Sequence, residues 1–169
     1  IILSYKDINS YIIRPATVCG YSKRMRLDVT VNALTFSALS KGVISVFGGK
    51  QVRPNIHIDD MVNLYLFFLN SKKKDGGIYN AGFENKSILE IAKKIKELIP
   101  CKINVIKDKN DPRSYRLNSD KLKKIGFHPS KTIKNAILEI QDMYYKGYLK
   151  NKNNYHSLKW LKRKLKIKL

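Results

Sequence analysis

Acidic residues are scarce in this chain: 13 Asp and Glu stand against 34 Lys and Arg, a formal net charge of +21 over 169 residues. What such an excess implies depends on where along the chain it lies. Cysteine is scarce too. Cys19 and Cys101 are the only two, and without metal-ligand spacing or a disulfide framework they read as reduced thiols of a cytoplasmic protein. Long apolar runs are missing, since no stretch of 18 apolar residues occurs, so no membrane-spanning helix is expected. The opening IILSYKDINSYIIRP has neither the basic n-region nor the small-residue cleavage site of a signal peptide.

What is present is globular. Hydrophobic residues make up 43% of the chain, with ten Tyr and six Phe, enough for one compact domain with a sizeable core. The positive charge is unevenly placed: from Lys146 to the end there are nine Lys or Arg and no acid. Two parts are therefore expected, a domain over residues 1–148 and a basic tail over 149–169. In the tail, Leu158, Leu161 and Leu165 have helical spacing, so a helix there would be amphipathic and lysine-rich. Such a helix can lie weakly on an anionic membrane surface or on nucleic acid, and a short basic terminus is also commonly a solvated end. The abundance of Lys, Asn and Ile further suggests a compositional bias and not selection for a partner.

The chain is organised around residues 43–66, VISVFGGKQVRPNIHIDDMVNLYL. A short apolar run stops at Gly48-Gly49, Arg53 stands beside the rigid Pro54, and an alternation through Ile56, His57 and Ile58 leads into Asp59-Asp60 and an apolar helical pattern. Asp59 is expected to cap that helix. Ahead of it lie a strand near Ile12, a turn at Gly20, and a helix from Val29 that carries Asn32 and stops at Gly42. Residues 72–77 read as a basic loop, and a strand near Ile78 follows. Ser87 and Glu90 form a capping box for a helix ended by Pro100. Further on come a strand near Ile103, an arginine-bearing segment over residues 111–122, and a helix from Thr132 to about Tyr148.

Three motifs carry a family resemblance. Arg14 to Gly20 (RPATVCG), Phe47-Gly48 with Arg53 and then Ile56-His57-Ile58-Asp59-Asp60, and Arg113-Ser114-Tyr115 with Asn118 to Leu122 together resemble the extended short-chain dehydrogenase/reductases, specifically the NAD-dependent nucleotide-sugar epimerases and dehydratases. The resemblance implies an α/β Rossmann-like fold with a substrate-binding subdomain, NAD as cofactor and a nucleotide-diphosphate sugar as substrate. It assigns Arg53 to the diphosphate, Arg113 or the nearby Arg116 to the ribose or phosphates, and Asn32 to the phosphates. Arginine suits that duty because its planar fork of donors matches a diphosphate as lysine cannot. Family members usually homodimerise. Cys19 stands where the family most often has tyrosine.

Other family parts are not found. Among the nine glycines there is no strand-turn-helix fingerprint for a dinucleotide pyrophosphate. A Tyr-x-x-x-Lys spacing occurs only at Tyr148/Lys152 and Tyr155/Lys159, in the basic tail, so no catalytic residue and no metal ligand is assigned. The expectation is therefore the C-terminal portion of such a fold with the dinucleotide-binding half missing. In function it would be a substrate-binding half, inactive alone and not expected to hold NAD tightly, with a separately encoded Rossmann half as a candidate partner. The alternatives are a non-catalytic nucleotide-sugar binding module and a basic nucleic-acid-binding protein.

Overall fold

The computed structural model describes Ser4 and residues 10–71, 76–106 and 112–165. Residues 72–75 of the expected basic loop and Asp111 lie outside the described residues. Among the described residues strands and helices follow in the order β1 (Tyr11–Pro15), β2 (Thr17–Cys19), α1 (Thr30–Lys41), β3 (Val43–Phe47), β4 (Val52–His57), α2 (Ile58–Leu69), β5 (Gly77–Ala81), β6 (Glu84–Ser87), α3 (Ile88–Leu98), β7 (Lys102–Ile106), α4 (Asp120–Lys124), α5 (Ile133–Tyr145) and α6 (Ser157–Leu165). Three strand-helix-strand passages (β2–α1–β3, β4–α2–β5, β6–α3–β7) follow one another. Strand pairing is mostly parallel, β1 with β5, β2 with β4 and β3 with β7, while β6 runs antiparallel to β4. Parallel neighbours need a crossover connection, and the helices supply it.

This arrangement corrects one expectation. The described residues form a Rossmann-like α/β body of parallel strands and covering helices, beginning at β1 in the N-terminal part of the chain. The reading that only a C-terminal substrate-binding portion is present, with the Rossmann part missing, does not stand.

Local chemistry explains most boundaries. Gly42 closes α1 in the left-handed region at φ 64°, and Ser87 with Glu90 forms the reciprocal capping box of α3. Thr132 and Asn135 cap α5 in the same reciprocal way. The expectation for α2 needs revision. Its cap is His57, whose Nδ1 accepts from the Asp59 amide at 3.1 Å, so Asp59 sits within the first turn. An imidazole nitrogen there satisfies an otherwise orphaned donor as a carboxylate would.

Three clusters fill the interior. Val31 and Ala38 of α1, Ile44 and Val46 of β3, and Ile91 and Ile95 of α3 make the first. The second, around Ile56, Leu64 and Tyr79, is rich in rings, with Tyr11 stacked on Phe68 at 4.6 Å between centroids. The third joins Met25 and Leu27 to Ile140, Leu149 and Tyr155. The early residues of the basic tail are thus packed on the body, and the Leu27 amide donates to the Tyr155 carbonyl at 2.8 Å.

Candidate functional site

The connection from β2 to α1, residues 20–29, forms one wall of an open groove of about 480 Å³; the floor is the segment from Pro15 to Val18 and the N-terminal end of α2 at Ile58. Arg24, Arg26, Asn32 and Tyr115 line it as well. Gly20 is needed where it stands. Its φ is +109°, and a Cβ there would lie 3.0 Å from both His57 Nε2 and Ile58 Cγ2. The loop backbone therefore rests directly on the His57 ring.

Asn32 holds that loop. It is buried on α1, its Oδ1 accepts from the Gly20 amide at 3.1 Å, and its Nδ2 donates to the Arg26 carbonyl at 3.1 Å. Arg24 and Arg26 are exposed. Arg26 donates from Nε and one terminal nitrogen to the two Asp28 oxygens, at 3.0 and 3.2 Å. Partial burial pushes the Asp28 carboxyl upward, but the hydrogen bonds and charge of Arg26 outweigh it and hold the group below the usual carboxylate range.

Arg53 lies on β4 and is only 8% exposed. Its Nη1 donates to the Val52 carbonyl at 3.1 Å and also to the carbonyl of Arg113. The guanidinium sits 5.8 Å from the centre of the Tyr115 ring, a cation–π distance. The segment around Tyr115 is laid along β4 by further bonds: Ser114 Oγ accepts from the Val52 amide at 3.0 Å, and the Tyr115 amide donates to the Val52 carbonyl at 3.3 Å. Arg53, Arg113 and Asn32 are thus brought to one region, with Tyr115 joining Arg53 to the groove. Arg116 is exposed and acts on Glu90, away from the groove lining.

Beside the groove lies a network that the sequence did not disclose. His57 Nε2 is 3.0 Å from Glu139 Oε2, an approach not aligned as a hydrogen bond. Because Nδ1 accepts a backbone hydrogen, the ring proton is assigned to Nε2, facing the carboxylate. Lys131 bridges Asp59 and Glu139 at 2.5 and 2.7 Å, and those hydrogen bonds push its ammonium pKa upward. His57, Asp59 and Glu139 have the donor types of a metal site, but the ammonium already occupies the space between the two carboxylates. Asp60, almost fully buried, accepts from the Ser130 amide and hydroxyl at 2.8 Å each and from the Lys131 amide at 2.9 Å. Its partners lie some 70 residues downstream, so no local pattern could have signalled them.

The fold and groove define a Rossmann-like α/β protein with a basic, aromatic-edged cleft. Residues 2–82 match the model of the NAD dependent epimerase/dehydratase family. Similar solved structures include UDP-glucuronic acid 4-epimerase from Bacillus cereus, in complex with UDP-glucuronic acid and NAD (24% identity, TM-score 0.70, 86% of this chain and 48% of that one). Another is dTDP-glucose 4,6-dehydratase from Bacillus anthracis in complex with NAD (19% identity, TM-score 0.69, 84% and 47%). A third is ADP-L-glycero-D-manno-heptose-6-epimerase from Helicobacter pylori (21% identity, TM-score 0.69, 85% and 47%). Likeness at this identity establishes the fold, and the chain spans about half the length of these structures. The family match covers residues 2–82, a little under half of the 169. Because the family match occupies the N-terminal part of the chain, the expected function of a substrate-binding half alone, completed by a separate Rossmann half, is corrected along with the fold class.

NAD itself finds no fitting pyrophosphate turn among the described residues. Gly48 and Gly49 take positive φ of 71° and 101°, but they join β3 to β4, two strands, and not a strand to a helix N-terminus. Of the two Tyr-x-x-x-Lys spacings, Tyr148 is exposed on the surface, while Tyr155 is buried with its hydroxyl donating to the Lys23 carbonyl at 3.4 Å. No hydride or proton-transfer step is derived from these groups. Among the described residues no helix is long and apolar enough to cross a membrane.

Proposed function

We propose that this protein binds a nucleotide-diphosphate sugar along the groove beside Tyr115. The observation that supports this reading best is the placement of Arg53: its guanidinium lies against the ring of Tyr115, which lines a groove also lined by Arg24 and Arg26, and it fixes the Arg113 carbonyl. A diphosphate entering there would meet the exposed cations of the loop, and the exposed Tyr115 ring offers an apolar face to a base or sugar. Arg53 and Arg113 are the diphosphate-side groups in this reading. Asn32 positions the Gly20–Arg26 loop, and Arg116 contributes least.

The test is calorimetry with UDP, dTDP and ADP, since the three solved structures named above act on sugars carried by different bases. Binding of at least one is expected. Arg53→Ala should weaken it roughly ten- to hundredfold, the loss of one charge-assisted hydrogen bond to a phosphate. Arg53→Lys should recover part of the loss, because charge returns without the fork. Arg53 is buried, so thermal melts must accompany the titrations; Arg26→Ala, an exposed substitution, gives a second reading with less risk to the fold. Unchanged affinity in folded Arg53→Ala and in Arg26→Ala would overturn the assignment.

A further inference from the structure

Helix α6 is fixed at its base and bare on one side. The Ser157 amide donates to Asp28 Oδ2 at 3.0 Å, and His156 Nε2 lies 2.8 Å from Asn151 Oδ1. The Arg24 guanidinium stands 5.9 Å from the Trp160 ring centre. Tyr155, immediately upstream, is buried among Met25, Leu27 and Leu149. The helix cannot swing freely about its start, yet Leu158 is 63%, Leu161 47% and Leu165 59% exposed. At about 100° per residue these three leucines fall within a sector of roughly 60°, and Trp160 lies about 130° away on the flank that meets Arg24. The leucine stripe therefore faces outward by construction.

The charge around the stripe is of one sign. Lys162 and Lys164 flank the stripe at roughly 70–90° from its centre, Arg163 lies on the far side of the helix, and no acid occurs anywhere from Lys146 to Leu169. A stripe of leucines beside lysines matches a surface with an apolar interior and an anionic face. We propose that α6 docks the protein, side-on, to an anionic lipid bilayer, with the leucines entering the acyl boundary and the cations among the headgroups. Nucleic acid would use the cations but gain nothing from three exposed leucines, and a second copy of this helix would bring like charge against like charge.

Co-sedimentation with vesicles tests the proposal. Binding is expected to vesicles with about one-third phosphatidylserine in phosphatidylcholine, to be far weaker with phosphatidylcholine alone, and to fade toward about 0.5 M salt. Neutralising Lys162, Arg163 and Lys164 together to Gln should weaken it roughly hundredfold. Leu161→Glu should weaken it about tenfold, whereas Leu69→Glu, on an exposed face of α2, should change nothing. The proposal is overturned if the anionic vesicles do not bind, or if Leu161→Glu leaves binding intact, which would reduce the contact to unspecific charge. It is equally overturned if double-stranded RNA outcompetes vesicles equally in the parent and in Leu161→Glu, or if the stripe proves to be covered by a second copy in sedimentation velocity.

Discussion

The junction of β4 with α2 and the loop that rests on it handle charge differently. At the junction the charges are held by protein partners: Lys131 lies between two carboxylates, Asp60 accepts three hydrogen bonds, and His57 Nδ1 accepts from the Asp59 amide. On the loop, Arg24 and Arg26 are exposed beside an open groove, Arg24 against the Trp160 ring and Arg26 paired with the surface carboxylate of Asp28. The first arrangement gives rigidity. Buried polar groups are costly unless matched, and once matched they permit a single geometry. The second leaves cationic surface available to an anion. Gly20 lies between the two, resting on the His57 ring while its amide is held by Asn32. A rigid junction thus carries an accessible loop at a fixed height, which is what a binding site for a charged ligand requires.

The contrast is broken most directly at Asp60. Asp60→Ala removes the acceptor of the Ser130 amide, the Ser130 hydroxyl and the Lys131 amide, and leaves the amides short of partners beneath α5. A loss of roughly 3–5 kcal/mol is expected, read as a lowered urea midpoint. Arg26→Ala, on the accessible side, should leave that midpoint within about 0.5 kcal/mol of the parent.

The two cysteines give the second test. Cys19 is buried at the end of β2, and burial, reinforced by the charge of Glu84, pushes its thiol up to about 12. Cys101 is only partly buried, and burial raises its thiol as well. At about pH 8 the native protein should be alkylated at Cys101 more than a hundredfold faster than at Cys19, as peptide mapping would show. Comparable rates would mean that β2 opens readily and that the groove floor is not rigid.

How much of this could be read from the chain depends on how far apart the interacting residues are. Turn and cap chemistry is local, so Gly42, Ser87 with Glu90, and the strands near Ile12, Ile44, Ile56, Ile78 and Ile103 were legible. β6 was not, because Glu84 to Ser87 (ENKS) has no apolar alternation to betray a strand. Nor could periodicity orient α2, which is apolar nearly all round: Met61, Leu64 and Phe68 are buried, while Val62, Tyr65, Leu66 and Leu69 are exposed. The motifs resembling a family drew attention to Arg53 and to the segment around Arg113, which do adjoin in the structure. They did not show that Arg53 lies against the Tyr115 ring, nor that Asp59 serves Lys131 and leaves the cap to His57. The polar sequence before Tyr155 likewise concealed that Leu149 and Tyr155 are anchors of the third cluster.

A third test acts where the two regions touch. Gly20→Ala would place a Cβ at a positive φ and within 3.0 Å of His57 Nε2 and Ile58 Cγ2. Both strain and contact count against it, and a destabilisation of about 2 kcal/mol is expected. The loop should also lift, so that nucleoside-diphosphate affinity falls more than stability alone accounts for; Gly20→Ala bound to ligand as tightly as the parent would show that the loop height is immaterial.

The smallest effect concerns Asp28, where the loop is tied to the tail. Its folded carboxyl titrates below the usual range, held there against its own partial burial by Arg26 and by the backbone amide of Ser157. A carboxylate with a depressed folded pKa contributes stability at all pH values above its unfolded pKa, about 3.9. That contribution is lost as pH falls below this value and through the lower folded one. Asp28→Asn should therefore cost stability at neutral pH and cost nothing once the parent carboxyl is itself protonated, so the two denaturation curves should converge under strong acid. The magnitude is below about 1 kcal/mol, because the carboxylate is partly open to water and solvent screens the pair. If the difference between parent and variant persisted unchanged through the acid range, its source would be shape and not charge. The tie between loop and tail would then rest on Tyr155 and Leu149, whose packing does not depend on protonation.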